Sequence, residues 1–151
     1  MDRIDTPARR HIAERHAMRR AIELARSGLG STFGNPCVGA VVLDPDLTPA
    51  GEGRTEPHGP TPGRHGEVVA LDAAGERARG GTAVVTLEPC NGTGRTGPCT
   101  DALVAAGVAR VVYAVTDPMP PYAGGADALR DKGIDVVTSM TAEAREVHGP
   151  W

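Results

Sequence analysis

Four short, valine-rich runs dominate this chain: CVGAVVLD from Cys37, TAVVTL from Thr82, ARVVYAV from Ala109 and IDVVTSM from Ile134. The first, CVGAVVLD, is a short continuous apolar run, the mark of a strand buried on both faces, and the other three read as strands as well. Helical patterns alternate with them. Thr6-Pro7 is a capping hydroxyl followed by proline at the first helical position. Met18, Ala21, Ile22 and Ala25 then recur at helical spacing, and Gly28 or Gly30 supplies the stop. HGEVVALDAAGERA from His65, with Val68, Val69 and Leu71 on its apolar side, CTDALVAAGV from Cys99 and GADALRDKG from Gly125 read as further helices.

DPDLTP reads as a turn leading to a short second strand through Ala50 to Gly53. Thr55 to Gly63 is Pro- and Gly-rich and reads as a loop. The tail TAEAREVHGPW holds one helical turn or more. This alternation predicts an α/β domain of three layers, a mixed sheet of about five strands between helices, formed by residues 1–151 as a single domain.

Several function classes are excluded at this point. The net charge of −3 and a pI near 5.9 leave no electrostatic footprint for nucleic acid or an anionic membrane. Aromatic residues are only 3% of the chain, too few for a base-stacking platform. The longest apolar run, VGAVVL, is far too short to span a bilayer, and the charged N-terminus lacks a signal-peptide pattern. The expected location is the cytoplasm, where three cysteines read as metal or catalytic groups rather than as a disulfide.

The chemistry concentrates in two places. His65 and Glu67 fall at the start of one helix, and Cys90 and Cys99 follow the end of a buried strand. One imidazole and two thiolates make a three-ligand zinc site that keeps a position for water, the layout of a catalytic centre. Glu67 need not ligate. A carboxylate beside such a water can take its proton and pass it to a leaving group. H-x-E with P-C-x-x-C is the zinc nucleobase-deaminase signature. Here HGE and EPC are present, but the second cysteine comes after eight residues instead of two. Cys37, inside a strand pattern, reads as a small core residue. His11, His16 and His148 read as surface residues, and His58 as a loop residue.

With that longer spacing, TLEPCNGTGRTGPC followed by TDALVAAGVARVVYAVTDP resembles the deaminase domain of the bacterial riboflavin-biosynthesis deaminase/reductase. So do GNPCVGAVVLD, HGEVVAL and AGGADALRDKGIDV, in unbroken order from about Ala17 to about Val137. The resemblance implies a cytidine-deaminase-like fold and a homo-oligomer, a dimer or larger. It also implies hydrolytic deamination of an aminopyrimidine, the diaminopyrimidinone ribosyl phosphate of riboflavin synthesis. It assigns Zn2+ to His65, Cys90 and Cys99, and proton shuttling to Glu67. It sets Asn35 against the substrate, Arg95 with Thr96 near its phosphate, and Asp117 near its ribose.

Four departures from the family stand out. No reductase sequence lies within these 151 residues, and the usual H-A-E is H-G-E, a small loss of helix propensity. NGTG follows Cys90 where a histidine or aromatic residue is common, and DPMP replaces D-P-N-P, so Met119 stands where an amide would face the sugar. Two other readings therefore stay open. One is a stand-alone relative deaminating a related amino-heterocycle, with or without a phosphate, in a specialised pathway. The other is a zinc-bearing binding module without turnover.

Overall fold

A computed structural model describes residues 6–29, 37–57, 63–91, 99–116, 124–139 and 142–148. Five strands form one sheet in the order β2-β1-β3-β4-β5: β1 (Gly39–Leu43), β2 (Pro49–Arg54), β3 (Thr82–Leu87), β4 (Arg110–Val115) and β5 (Asp135–Thr138). β1 runs antiparallel to both β2 and β3, while β3, β4 and β5 run parallel. The sheet is therefore mixed, as the alternation predicts. Three of the four valine-rich runs form the interior strands, and the fourth, IDVVTSM, forms edge strand β5. β1 and β3 are buried at every position, whereas edge strands β2 and β5 are largely exposed or half-buried.

Helices α1 (Pro7–Ser27) and α5 (Ala142–His148) cover one face. Helices α2 (Gly66–Ala74), α3 (Cys99–Ala106) and α4 (Gly125–Asp131) cover the other. The start signal of α1 works as its sequence suggests, because the Thr6 hydroxyl accepts from Arg9 N–H at 3.1 Å and Pro7 opens the helix. Met18, Ala21, Ile22 and Ala25 are its buried stripe. Glu14 is buried as well, and its carboxylate takes a two-pronged grip from Arg110 at 2.7 and 3.0 Å. Arg110 also binds Asp135, so one guanidinium ties α1 to the first residues of β4 and β5.

Helix α2 differs from its expected form in two ways. It ends at Ala74 and passes into a short 3-10 turn over Gly75–Ala78. Its buried stripe is Glu67, Ala70, Leu71 and Ala74, while Val68 and Val69 are only half-buried. That i, i+3, i+4, i+7 pattern turns the one acidic residue of the stripe inward.

His148 is a correction to the surface position expected for it. The same spacing that buries Ala144 and Val147 brings His148 inside, to 4% exposure. Its Nε2 lies 2.9 Å from Thr86 Oγ1, which also accepts from Gly39 N–H, and Nδ1 has no partner among the described residues. Burial pushes the imidazole down from 6.5 to about 4. A lowered folded-state value means the unfolded chain binds the proton first as pH falls. Stability from this group is therefore present above about pH 6.5 and lost toward pH 4, with a slope of up to ~1.4 kcal/mol per pH unit. Urea denaturation at several pH values should show, between about pH 4 and 6.5, a dependence on pH that differs between the wild type and His148→Gln by this amount. Equal slopes would contradict it.

Candidate active site

The site forms where the start of α2, the end of β3 and the start of α3 converge. Upstream of α2, the Arg64 side chain grips Glu56 through Nε and Nη2, both at 3.1 Å, and also reaches Asp72 on α2. Arg64 N–H donates to Glu56 Oε1 at 2.8 Å. The clasp is exposed and worth little stability by itself. It nevertheless fixes the residue immediately before His65 from two sides.

The start of α2 sits directly on the β1–β2 corner. Thr55 and Val38 pair reciprocally: Thr55 N–H donates to the Val38 carbonyl, and Val38 N–H donates to Thr55 Oγ1, both at 2.9 Å. Gly66 rests on that pair, and a Cβ there would stand 2.4 Å from the Val38 carbonyl oxygen. The glycine of HGE thus allows a close approach to a backbone oxygen that a Cβ on this backbone would have to push back. Helix propensity alone favours alanine by about 1 kcal/mol. Gly66→Ala should instead destabilise by about 1–3 kcal/mol, the usual range for overpacking. Chemical denaturation checks this, and an alanine variant at least as stable as the wild type would refute it.

His65, Cys90 and Cys99 come together as the motif spacing predicts, with one possible ligand atom from each within 4.8 Å of the others. His65 Nδ1 lies 3.1 Å from Cys99 Sγ and 3.6 Å from Cys90 Sγ. Ligand atoms sharing a tetrahedral zinc stand roughly 3.5–3.8 Å apart, given bonds of about 2.0–2.3 Å. The borderline-soft N/S donor set is also zinc's own preference. The group fits the metal. Local structure explains how. Cys90 follows β3, and Cys99 is the first residue of α3, where its N–H points to Cys90 Sγ at 3.4 Å.

The electrostatics suit a cation. Cys90 is drawn down to about 4, first by the hydrogen bond from the Cys99 thiol, against burial, and then by His65. Cys99, which donates that bond and is buried, is pushed up. The pair thus holds one thiolate readily, and a metal ion favours deprotonation of the second. His65 is raised by its bond to Cys90.

Glu67 is 4% exposed, and its Oε1 has no hydrogen-bond partner among the described residues. Burial raises its carboxyl to about 7. A carboxyl beside a metal-ligand cluster, able to hold or release a proton near neutral pH, is what general acid–base chemistry needs.

The remaining candidates, Asn35, Arg95, Thr96 and Asp117, lie outside the described residues, as do His58 and Met119. Sequence reasoning gave no role to Glu88, which is 5% exposed and whose Oε2 accepts from Ala126 N–H at 2.9 Å. An acidic residue closing a short valine-rich strand run was the signal available for it. Cys37 is a buried core thiol, as its strand pattern indicates.

Comparison with known proteins agrees with this geometry. Residues 12–115 match the family model described as the cytidine and deoxycytidylate deaminase zinc-binding region. The riboflavin biosynthesis protein RibD of Synechocystis is 45% identical over 134 residues, 88% of this chain and 35% of that protein. The chain therefore spans about a third of that relative's length. The diaminohydroxyphosphoribosylamino-pyrimidine deaminase of Buchnera aphidicola is 45% identical over 127 residues, 83% of this chain and 84% of that protein. The solved structure of Acinetobacter baumannii RibD superposes with a TM-score of 0.82 at 45% identity, covering 91% of this chain and 38% of that one. These relatives bear out the resemblance read from the motifs, and with it the cytidine-deaminase-like fold and zinc as the metal. On the family match, which takes in well over half of its length, the chain belongs to the cytidine and deoxycytidylate deaminase zinc-binding family.

Proposed function

We propose that residues 1–151 form a single zinc-dependent deaminase domain acting on 2,5-diamino-6-ribosylamino-4(3H)-pyrimidinone 5′-phosphate in riboflavin biosynthesis. The carrying observation is Glu67, buried and with one oxygen unpartnered among the described residues, two residues from His65 and beside both thiols. The near full-length match to the Buchnera deaminase supports the substrate.

His65, Cys90 and Cys99 hold the zinc. When bound, zinc supplies Lewis-acid charge that makes a water nucleophilic near neutral pH. With a water held so, Glu67 would take its proton at Oε1, the oxygen without a partner among the described residues, and deliver it to the ring nitrogen beside C2. It would then move the second proton from the added oxygen to the departing amine, so that water enters, ammonia leaves and the carboxylate is restored. The buried position of Glu67 keeps bulk water from competing for these protons.

Asn35 orients the base, Arg95 with Thr96 takes the phosphate, and Asp117 faces the ribose. The protein works in the cytoplasm, where its thiols stay reduced, as a dimer or larger assembly in keeping with the family resemblance. Among the described residues, no helix is long and apolar enough to cross a membrane.

Ammonia release from the ribosyl phosphate by the zinc-loaded protein tests this reading. Arg95→Ala should raise KM for that compound by ~10-fold or more and leave turnover of the dephosphorylated analogue nearly unchanged. A charge-assisted contact remote from the reacting carbon acts on ground and transition states alike. Equal effects on both compounds, together with a preference for the free base, would favour the specialised-pathway reading. DPMP and the residues after Cys90 are where that specificity would have changed.

A further inference from the structure

We propose that Glu88 is a positioning residue, which holds the Cys90 turn in ligating geometry by strapping it to the first turn of α4. The inference rests on Cys90 being a zinc ligand, as in the function proposed above. Glu88 touches neither substrate nor metal donors in the bonds described. It works at the corner where β3 ends and α4 begins.

Glu88 uses both its backbone and its side chain. Its N–H donates to the Val115 carbonyl at 2.7 Å, which carries the β3–β4 ladder one step beyond β3. Its Oε2 accepts from Ala126 N–H at 2.9 Å, in a buried bond. One residue thus holds the end of β4 and the start of α4 at the same corner. The next residue, Pro89, is fully buried, and a Cβ on Gly125 would stand 1.8 Å from its carbonyl oxygen. Only glycine allows α4 to begin that close. On its other side the turn is held by α3, where Thr100 N–H donates to the Cys90 carbonyl and Thr100 Oγ1 to Asn91 Oδ1, both at 3.3 Å. Cys90 therefore sits in a turn gripped from two helices, and Glu88 supplies the side-chain grip toward α4. Partners that orient a metal ligand commonly change metal affinity or activity by ~10–100-fold when removed.

Reach and charge can be separated. Glu88→Asp keeps the charge but withdraws the oxygen by one methylene. Glu88→Gln keeps an acceptor at the same reach without the charge. The expected result is a zinc Kd, measured by chelator competition, weakened ~10-fold or more in Glu88→Asp and Glu88→Ala and within ~3-fold of wild type in Glu88→Gln. With cobalt in place of zinc, the thiolate charge-transfer band should shift in the Asp variant and hold in the Gln variant. The cobalt spectrum follows ligand geometry, which a loss of stability alone would not move. Wild-type affinity and spectrum in Glu88→Asp, or failure of Glu88→Gln to restore them, would overturn the proposal. A wild type that binds no zinc would overturn the deaminase reading itself, and this inference with it.

Discussion

Glu67→Gln is expected to keep its fold and its zinc while losing turnover by ~10²-fold or more, the usual contribution of a positioned acid–base group. Glutamine preserves the size and shape of the side chain, so the stripe of Glu67, Ala70, Leu71 and Ala74 still packs beneath α2. What it removes is the ability to take and return a proton. Because the carboxyl is buried and raised to about 7, the neutral amide carries no heavier desolvation cost than the acid it replaces. Stability should therefore be equal or slightly higher, a common outcome when a functional polar group is neutralised. Metal content, thermal unfolding and single-turnover ammonia release on one preparation decide the matter. Near-normal rates would mean that another group serves as the base, and the role proposed for Glu67 would fail.

Replacing Cys99 should have the other large effect. Cys99 is wholly buried at the first position of α3, with its sulfur 3.1 Å from His65 Nδ1. A serine hydroxyl there has the wrong softness for zinc and stays protonated at neutral pH, and a three-ligand site cannot lose one donor without losing most of its affinity. Zinc should fall from about one equivalent per chain to ~0.1 or less after mild chelation, and activity should fall with it. A second readout is independent of catalysis. Ligand binding stabilises the folded state by mass action, so added zinc should raise the wild-type Tm and leave that of Cys99→Ser almost unchanged. A full zinc complement in the serine variant would remove Cys99 from the ligand set and leave its eight-residue spacing from Cys90 without a chemical reason.

Much of this protein is legible in its sequence because much of it is set locally. Continuous valine-rich runs mark β1, β3 and β4 because a strand covered on both faces has no polar side to show. Thr6 and Pro7 mark the start of α1 because a helix terminus needs an acceptor for its free N–H groups. The zinc donors are legible because imidazole and thiolate are scarce, chemically distinct groups, and their order on the chain follows the elements that carry them. The edge strand β2 was harder to delimit, since an exposed strand needs no apolar pattern. Its observed span, Pro49–Arg54, is longer than the Ala50 to Gly53 expected.

Other features depend on groups far apart in the chain, and no local pattern encodes them. The sheet order, with β1 antiparallel to β3, depends on which strand edges pair between segments far apart in the chain. Gly66 looks like a minor propensity defect until the Val38 carbonyl, 28 positions earlier, is found against it. His148 looks like a surface residue until α5 folds back and sets it beside Thr86. Glu88 has the composition of a loop residue, yet its oxygen meets a backbone N–H 38 positions away. Sequence determined which residues could form strands, helices and a metal site. Tertiary structure alone decided which polar atoms would be buried, and against what, because burial depends on the approach of distant backbone.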